Sequence, residues 1–536
     1  LKHFAANSQE HLRFSSDSIM DERTLREMYL TGFEMAVKEA KPKAVMCAYN
    51  QINGEYCSDS YRLLTEILRE EWGFEGMVVT DWGAMSDRIK GFQAGCDLSM
   101  PGGAAYMERE ALEAVKAGKL SEADIDTCVE RILRLIEKSE KISRKPVDME
   151  ANHALARRVA EESAVLLKNE NHLLPLTEKK DVVWIGYMAE EIRYQGSGSS
   201  HINPWKMSNI VDIYPEIPYV QGCDVYGQTN EAMLTEAVSA AKKAKVAVVF
   251  AGLTDQYESE GFDRENMKMP EGHVKLIEAV AEANPNTVAV LFAGSPVEME
   301  WADKVKSILY MGLPGQAGAE AAVSLLFGKA VPCGKLAETW AYKYEDCISS
   351  SYYVKGKKDA YYKEGIYVGY RYYSSVKKPV RYPFGHGLSY TTFAYSDLRI
   401  EGNKVFCTVT NTGNTSGKEI VQIYIAPPKG EFYRPALELK GFRKISLRPD
   451  EAKEVSFELN ERSFAIWNEG WIVPGGNYRI YIGGGSEDLM LAGCIEKEKN
   501  RANAPKVPQW YFTLKGEPSH QDFEKLVGHE VTEKPI

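Results

Sequence analysis

Long apolar runs are missing from this 536-residue chain: no stretch approaches the roughly 20 residues that cross a bilayer, so no membrane partner is expected. Metal-site spacings are missing too. There is no CxxC and no HExxH, and the nine Cys and nine His are scattered, so neither a catalytic metal nor any other cofactor is expected. Nor is there a surplus of positive charge. With 65 Lys and Arg against 76 Asp and Glu the net charge is -11, which argues against a nucleic-acid partner, because phosphate binding needs a basic face. An odd, irregular set of cysteines reads as reduced core thiols, a pattern that leans towards a reducing, cytoplasmic compartment. The chain opens on Leu1-Lys2-His3-Phe4 without an initiator Met or a signal-peptide pattern and reads as starting inside an element. The lack of a targeting signal therefore excludes nothing.

What is present is a globular composition, 44% hydrophobic and 26% charged, with 30 Tyr and 9 Trp. The length exceeds one ordinary core, so roughly two to four domains are expected. Flat aromatic faces suit sugar rings, although filling cores is their commoner use.

Over residues 1–145 short apolar runs alternate with amphipathic helices. Ala44-Val45-Met46-Cys47-Ala48-Tyr49 and Gly76-Met77-Val78-Val79-Thr80 read as buried strands, with a third around Cys96-Asp97-Leu98-Ser99-Met100. A helix follows at Tyr61 to Glu71. Another starts at a Ser121/Asp124 capping box, with Ile125, Val129, Ile132, Leu133 and Ile136 on one face. Such alternation predicts a parallel sheet, and polar residues recur where its strands end: Lys2-His3, Tyr49-Asn50 and Asp81-Trp82. A closed βα barrel needs eight strands and roughly 250 residues, and only about four are legible, so half a barrel is expected to be missing.

After a polar linker around residues 140–155, a second α/β domain runs over 146–345. Its expected elements are helices Ala154 to Lys168, Glu231 to Lys243 and His273 to Ala283. Strands are expected at Val182 to Gly186, Val246 to Ala251, Thr287 to Phe292 and Ser307 to Tyr310. Residues 346–395, rich in Tyr, Gly and Pro, read as an inter-domain connection. Over 396–500 the period changes to two, and turn-bounded strands such as Val405 to Val409 and Ile420 to Ile425 predict a β-sandwich. Residues 501–536 are a polar tail with no assignment. The predicted class is multidomain α/β plus β: a partial (β/α) barrel, an α/β sandwich domain and a C-terminal fibronectin-III-like β-sandwich.

Two acidic sites stand out. Asp81 closes an apolar strand, where a carboxylate at a barrel mouth is partly desolvated and able to attack; an N-cap for the next helix is an equal alternative. The loop Thr254-Asp255-Gln256-Tyr257-Glu258-Ser259-Glu260-Gly261-Phe262-Asp263-Arg264 is dense in acid, though charge runs are more often simply solvated. Glycoside hydrolysis with retention needs two carboxyl groups about 5–5.5 Å apart, and nothing in the spacing brings Asp81 to this loop.

Taken in order, Lys2-His3-Phe4, Val45 to Asn50, Val79-Thr80-Asp81-Trp82, Val165 to Glu170, Ser259 to Arg264 and Pro383-Phe384-Gly385-His386-Gly387-Leu388-Ser389-Tyr390 resemble the family 3 glycoside hydrolases, the β-glucosidase-like group. The resemblance covers about residues 1–500. It implies a retaining exo-β-glycosidase that releases terminal non-reducing β-D-glucosyl residues from an oligosaccharide or an aryl or alkyl β-glycoside. It also implies Asp81 as nucleophile and Glu260 as acid/base, with Glu258 the alternative if the loop is registered two residues earlier. Lys2, His3 and Arg13 match residues that hydrogen-bond the sugar in the -1 subsite, Tyr49 a phenol beside the nucleophile, and Trp82 a wall of the pocket. Gly196-Ser197-Gly198-Ser199-Ser200 matches a loop at the site mouth, with Ser199 the residue chosen from it. A homodimer is the candidate assembly. β-Xyloside and α-arabinofuranoside are alternative substrates, and an inactive carbohydrate-binding fragment is the alternative outcome of the missing half. The family's branch with a His-Asp acid/base does not fit, since Ala5-Ala6-Asn7 follows Phe4. Gly312 to Gly318 follows a strand and precedes a helix but lacks nucleotide-loop spacing, so it reads as a tight turn.

Overall fold

Apolar runs of four to six residues ended by polar or glycine positions set the architecture seen in a computed structural model. It describes residues 1–532 apart from 103, 144, 354–356 and 499–502. Arg144 of the expected linker and parts of the expected tail thus lie outside the described residues.

In the first domain, strands Ala44–Cys47 and Met77–Thr80 pair in parallel, Ala44 opposite Met77 and Cys47 opposite Thr80. Residues 1–4 run alongside the first, with Phe4 N donating to Met46 O at 2.9 Å and Ala48 N to Phe4 O at 2.8 Å. Leu98 bridges the second in parallel at Val79. Four chain segments therefore end at one edge, which carries His3, Tyr49 and Asp81. Helix Arg62–Glu71 buries Leu63, Leu64, Ile67 and Leu68 against this sheet.

The helix expected after Ser121 spans Glu122–Glu140, capped by Ser121 Oγ accepting from Ala123 N at 3.1 Å. Its expected apolar face docks only in part. Cys128 is buried and Arg131 reaches the buried Asp97 at 3.0 Å, whereas Val129, Leu133 and Ile136 are exposed. Ile125 packs against Ala111, Ala114 and Leu120 and Ile132 is half-buried, so only part of the apolar stripe faces outward.

The second domain is a six-stranded sheet in the order Val165–Asn169, Ser307–Gly312, Thr287–Phe292, Val246–Gly252, Val182–Ile185 and Tyr219–Val220. All neighbours are parallel except the first pair. One face is covered by Ala237, Leu276 and Val280, the other by Ala160 and the helix Gly318–Leu326, giving a three-layer sandwich. The helix expected over Ala154 to Lys168 ends at Ser163. Val165-Leu166-Leu167-Lys168-Asn169 is instead the antiparallel edge strand, because its β-branched and leucine side chains fill both faces of the sheet. Gly312 to Gly318 is a turn into a helix, as expected.

Residues 346–395 are more than a connection. Ala360–Tyr361 pairs in parallel with Asp17–Ile19 of the first domain, and Tyr370–Val376 is a helix. The β-sandwich begins at Phe393 and packs a three-stranded sheet on a four-stranded one around Val409, Ile423, Phe457 and Ile480. Its alternating burial along Lys404–Asn411 is the period of two seen in the sequence. The tail also has structure. Helices Trp510–Thr513 and His520–Val527 bury Tyr511 and Phe523 completely. Seven of the nine cysteines are buried, and all nine are free thiols; Cys494 is exposed. Among the described residues no helix is long and apolar enough to cross a membrane, and no cluster of His, Cys, Asp and Glu is arranged to hold a metal.

Candidate functional site

The first domain presents a nucleophile-like carboxylate. Asp81 follows the last residue of strand Met77–Thr80, its N–H held by Cys47 O at 3.1 Å, so its side chain emerges at the sheet edge. One oxygen accepts from Trp82 N at 2.7 Å; the other lies 3.3 Å from His3 Nε2. The helix after Asp81 is capped by Asp87 instead, which accepts from Ile89 N and Lys90 N. That removes the N-cap explanation for Asp81.

Tyr49 stands beside the pair. Burial and the Asp81 charge push its phenol up to about 12, so it stays a protonated donor. Burial lowers the His3 imidazole against the opposing pull of Asp81, with Lys2 and Arg13 pushing the same way as burial. His3 is therefore neutral at neutral pH, and Lys2, exposed beside it, supplies the nearby positive charge.

The second domain supplies the other carboxylate. Glu260 sits in the acidic loop after strand Val246–Gly252 and points at the first domain, where Arg13 Nη2 donates to it at 2.9 Å. Its second oxygen accepts from Ser199 N at 2.7 Å and from the Ser199 hydroxyl. The hydrogen bonds from Ser199, then the Arg13 guanidinium, pull the Glu260 carboxyl down to about 2. Arg13 joins the two sides: it donates to Glu260 at 2.9 Å and lies 4.7 Å over the ring of Tyr49, beside the Asp81–His3 pair.

Glu258, the alternative two residues earlier, does something else. It is tied down by Arg193 Nη1 at 2.5 Å, Gly294 N at 2.9 Å and Ser295 Oγ at 2.6 Å. Burial raises its pKa, but these donors outweigh it and hold Glu258 ionised. It anchors the loop to its own domain.

Trp82 is 61% exposed at the rim, open to a ligand face rather than packed. Three neighbours were not singled out by the sequence. Phe14 packs against Tyr49 in a tilted pair with centroids 4.2 Å apart, and Arg13 lies 4.7 Å over the Tyr49 ring. Glu10 accepts from Arg13 Nη1 at 2.8 Å and from Gly261 N at 2.8 Å. Asp263 accepts from the backbone of residues 10 and 11. A polar turn such as 8–14 has no periodicity to mark it; only its partners in space do.

Sequence comparison places these elements in company. The profile described as Glycosyl hydrolase family 3 N terminal domain matches residues 1–135, and that of the C-terminal domain residues 164–390. A Fibronectin type III-like domain profile matches residues 419–486. Thermostable beta-glucosidase B of Acetivibrio thermocellus is 48% identical over 538 residues, taking in 96% of this chain and 70% of that protein. Exo-alpha-(1->6)-L-arabinopyranosidase of Bifidobacterium longum is 40% identical over 537 residues, 95% of this chain and 70% of that one. The crystal structure of a Bifidobacterium adolescentis GH3 beta-glucosidase superposes with a TM-score of 0.90 at 39% identity, covering 95% of this chain and 77% of that one. Beta-glucosidase 3B from Thermotoga neapolitana, in complex with alpha-D-glucose, gives 0.86 at 35%, with 94% and 78% covered. These matches do not bear out the expectation that half of the N-terminal domain is missing; they give residues 1–135 as matched, with 70% of the first relative covered. The strand ends carrying His3, Tyr49 and Asp81 are assembled within those residues.

Proposed function

The chain belongs to glycosyl hydrolase family 3 and is a glycoside hydrolase, and from that premise we propose that it releases terminal β-D-glucosyl residues by double displacement with retention. The observation that carries this reading is the shared cluster. His3 lies 3.3 Å from Asp81 of the first domain, while Arg13 lies 4.7 Å over the neighbouring Tyr49 ring and donates at 2.9 Å to Glu260 of the second. Asp81 attacks the anomeric carbon and forms a glycosyl-enzyme while Glu260 gives a proton to the departing oxygen. Glu260, then ionised, takes a proton from water, which attacks the anomeric carbon and frees Asp81. His3, Lys2 and Arg13 hold sugar hydroxyls, and Tyr49, a protonated donor beside Asp81, keeps that carboxylate aimed.

The resting Glu260 is in the wrong protonation state for the first step. Held by Ser199 and Arg13 it is a carboxylate. A sugar that draws Arg13 onto its hydroxyls removes one of the charges holding Glu260 ionised, and water exclusion then raises its pKa. Binding and proton loading are thereby coupled.

A second substrate reading has a specific basis, the relatives named exo-alpha-(1->6)-L-arabinopyranosidase. An α-L-arabinopyranoside is a β-D-galactopyranoside without its hydroxymethyl group, so the same carboxylate geometry serves it. The test is hydrolysis of the p-nitrophenyl β-D-glucoside, β-D-xyloside, α-L-arabinofuranoside and α-L-arabinopyranoside by the chain and by Asp81→Asn. The expected result is preferred turnover of the β-glucoside, reduced by at least about a thousandfold in Asp81→Asn. Preference for the arabinopyranoside selects the second reading. Full activity in Asp81→Asn overturns the assignment of the nucleophile.

A further inference from the structure

The acid/base loop is fastened to the first domain by a reciprocal exchange of carboxylates. Asp263, three residues after Glu260, accepts from Glu10 N at 2.9 and 3.1 Å and from His11 N at 2.8 Å. Tyr353, from the inter-domain connection, donates to the same carboxylate at 2.7 Å and its hydroxyl also lies 3.2 Å from Ser8 O. In return Glu10 accepts from Gly261 N at 2.8 Å. Each segment thus gives a carboxylate to the other's backbone N–H groups, and Glu260 stands directly before the first of the two anchor points.

We propose that Asp263, with Glu10, is a positioning pair that latches the acid/base loop over the first domain and fixes where Glu260 delivers its proton. This rests on the reading of Glu260 as acid/base. Three features separate it from ordinary loop packing. The contacts join segments about 250 positions apart in the chain, with nothing local to gain from them. Charge-assisted bonds to backbone N–H groups are the stronger and more directional kind, suited to fixing a loop. Glu10 also holds Arg13 Nη1 while Arg13 Nη2 holds Glu260, so the latch and the carboxylate it positions share one guanidinium. Asp263 itself touches none of the groups assigned to the sugar. Its effect passes through the placement of Glu260, where an error of about 1 Å is enough to lose on the order of a hundredfold in rate.

The test compares Asp263→Ala, Asp263→Asn and the unaltered chain by two measurements. The first is amide hydrogen exchange, which needs no activity. In Asp263→Ala exchange should quicken in both 8–13 and 257–264 while strand Val246–Gly252 keeps its protection. No change, or change in one segment only, overturns the latch. The second is kcat/KM across aryl β-glucosides of graded leaving-group acidity. A nitrophenolate that leaves unaided needs little proton donation, whereas a poor leaving group needs all of it. The expected loss in Asp263→Ala is about a hundredfold or more for phenyl β-glucoside and under about fivefold for the 2,4-dinitrophenyl compound. Asp263→Asn, which keeps one acceptor oxygen, should fall between. An equal loss on every leaving group marks a merely structural residue and overturns the positioning role. If the unaltered chain hydrolyses no aryl glycoside, the proposed function fails, and the exchange measurement still decides the latch.

Discussion

At the scale of single residues, the most informative contact is the grip of Ser199 on Glu260. Hydrogen bonds to an ionised carboxylate lower its pKa, so removing them raises it. Ser199→Ala removes the hydroxyl but leaves the residue 199 backbone N–H and Arg13 as partners, and should lift Glu260 from about 2 part of the way towards the ordinary carboxylate range. A higher pKa keeps the acid protonated at higher pH. The basic limb of the kcat/KM profile should therefore move to higher pH, by roughly half a unit to one unit given the partial exposure of the group. A limb that stays put or moves down shows that Ser199 does not set the acid's protonation. The sequence made Asp81 readable because a single acid at the end of an apolar strand is unusual. It left Glu260 one of four acidic residues in a loop, singled out only by family resemblance. Glu10 and Asp263 could not be read at all, since their partners lie about 250 positions away.

Among elements, helices and central strands were legible and edges were not. Glu231–Lys243 has the expected limits because Asn230 caps it, accepting from Met233 N at 3.1 Å, and its alanines face the sheet. The strand Val165–Asn169 was absorbed into a helix because four apolar or aliphatic positions in a row fit either period. The loop 196–200 shows what an element-level constraint does for the site. Gly198 has a φ of +91°, and a Cβ there would lie 2.6 Å from Glu260 Cβ. Gly198→Ala must therefore move either the loop or Glu260. The loop is surface-exposed and makes little contribution to a core. Kinetics should register the change and melting should not: kcat/KM falls on the order of a hundredfold, and Tm stays within about 2 °C. A large fall in Tm with unchanged kcat/KM would show that the glycine serves the fold instead.

For the whole molecule, domains are sewn together by segments whose sequences carry no period of their own. Tyr367 of the connection donates to Tyr511 O at 2.6 Å, and Tyr511 in turn donates to Lys363 O at 3.0 Å. Phe523, fully buried with Ile19 and Tyr361, pins the tail to the first domain. Phe523→Ala should cost about 3–5 kcal/mol, visible as a shift of the denaturant midpoint; a shift below about 1 kcal/mol would make the tail an ornament. The same junction holds Glu364, buried and hydrogen-bonded by Tyr352 at 2.8 Å, with Tyr29, Tyr362 and Tyr511 facing it. Burial raises its carboxyl from 4.5 to about 7. Between those values the native chain keeps a proton that the unfolded chain has lost. Unfolding free energy therefore falls as pH rises through that window and is level outside it. Glu364→Gln has no proton to lose. The stability of the unaltered chain relative to this variant should drop by on the order of 1–3 kcal/mol between about pH 4.5 and 7. Denaturant titrations of both proteins at several pH values across the window measure that difference directly. A difference that is flat, or that grows with pH, would mean that Glu364 is ionised in the native state and that the tyrosine ring around it carries a charge.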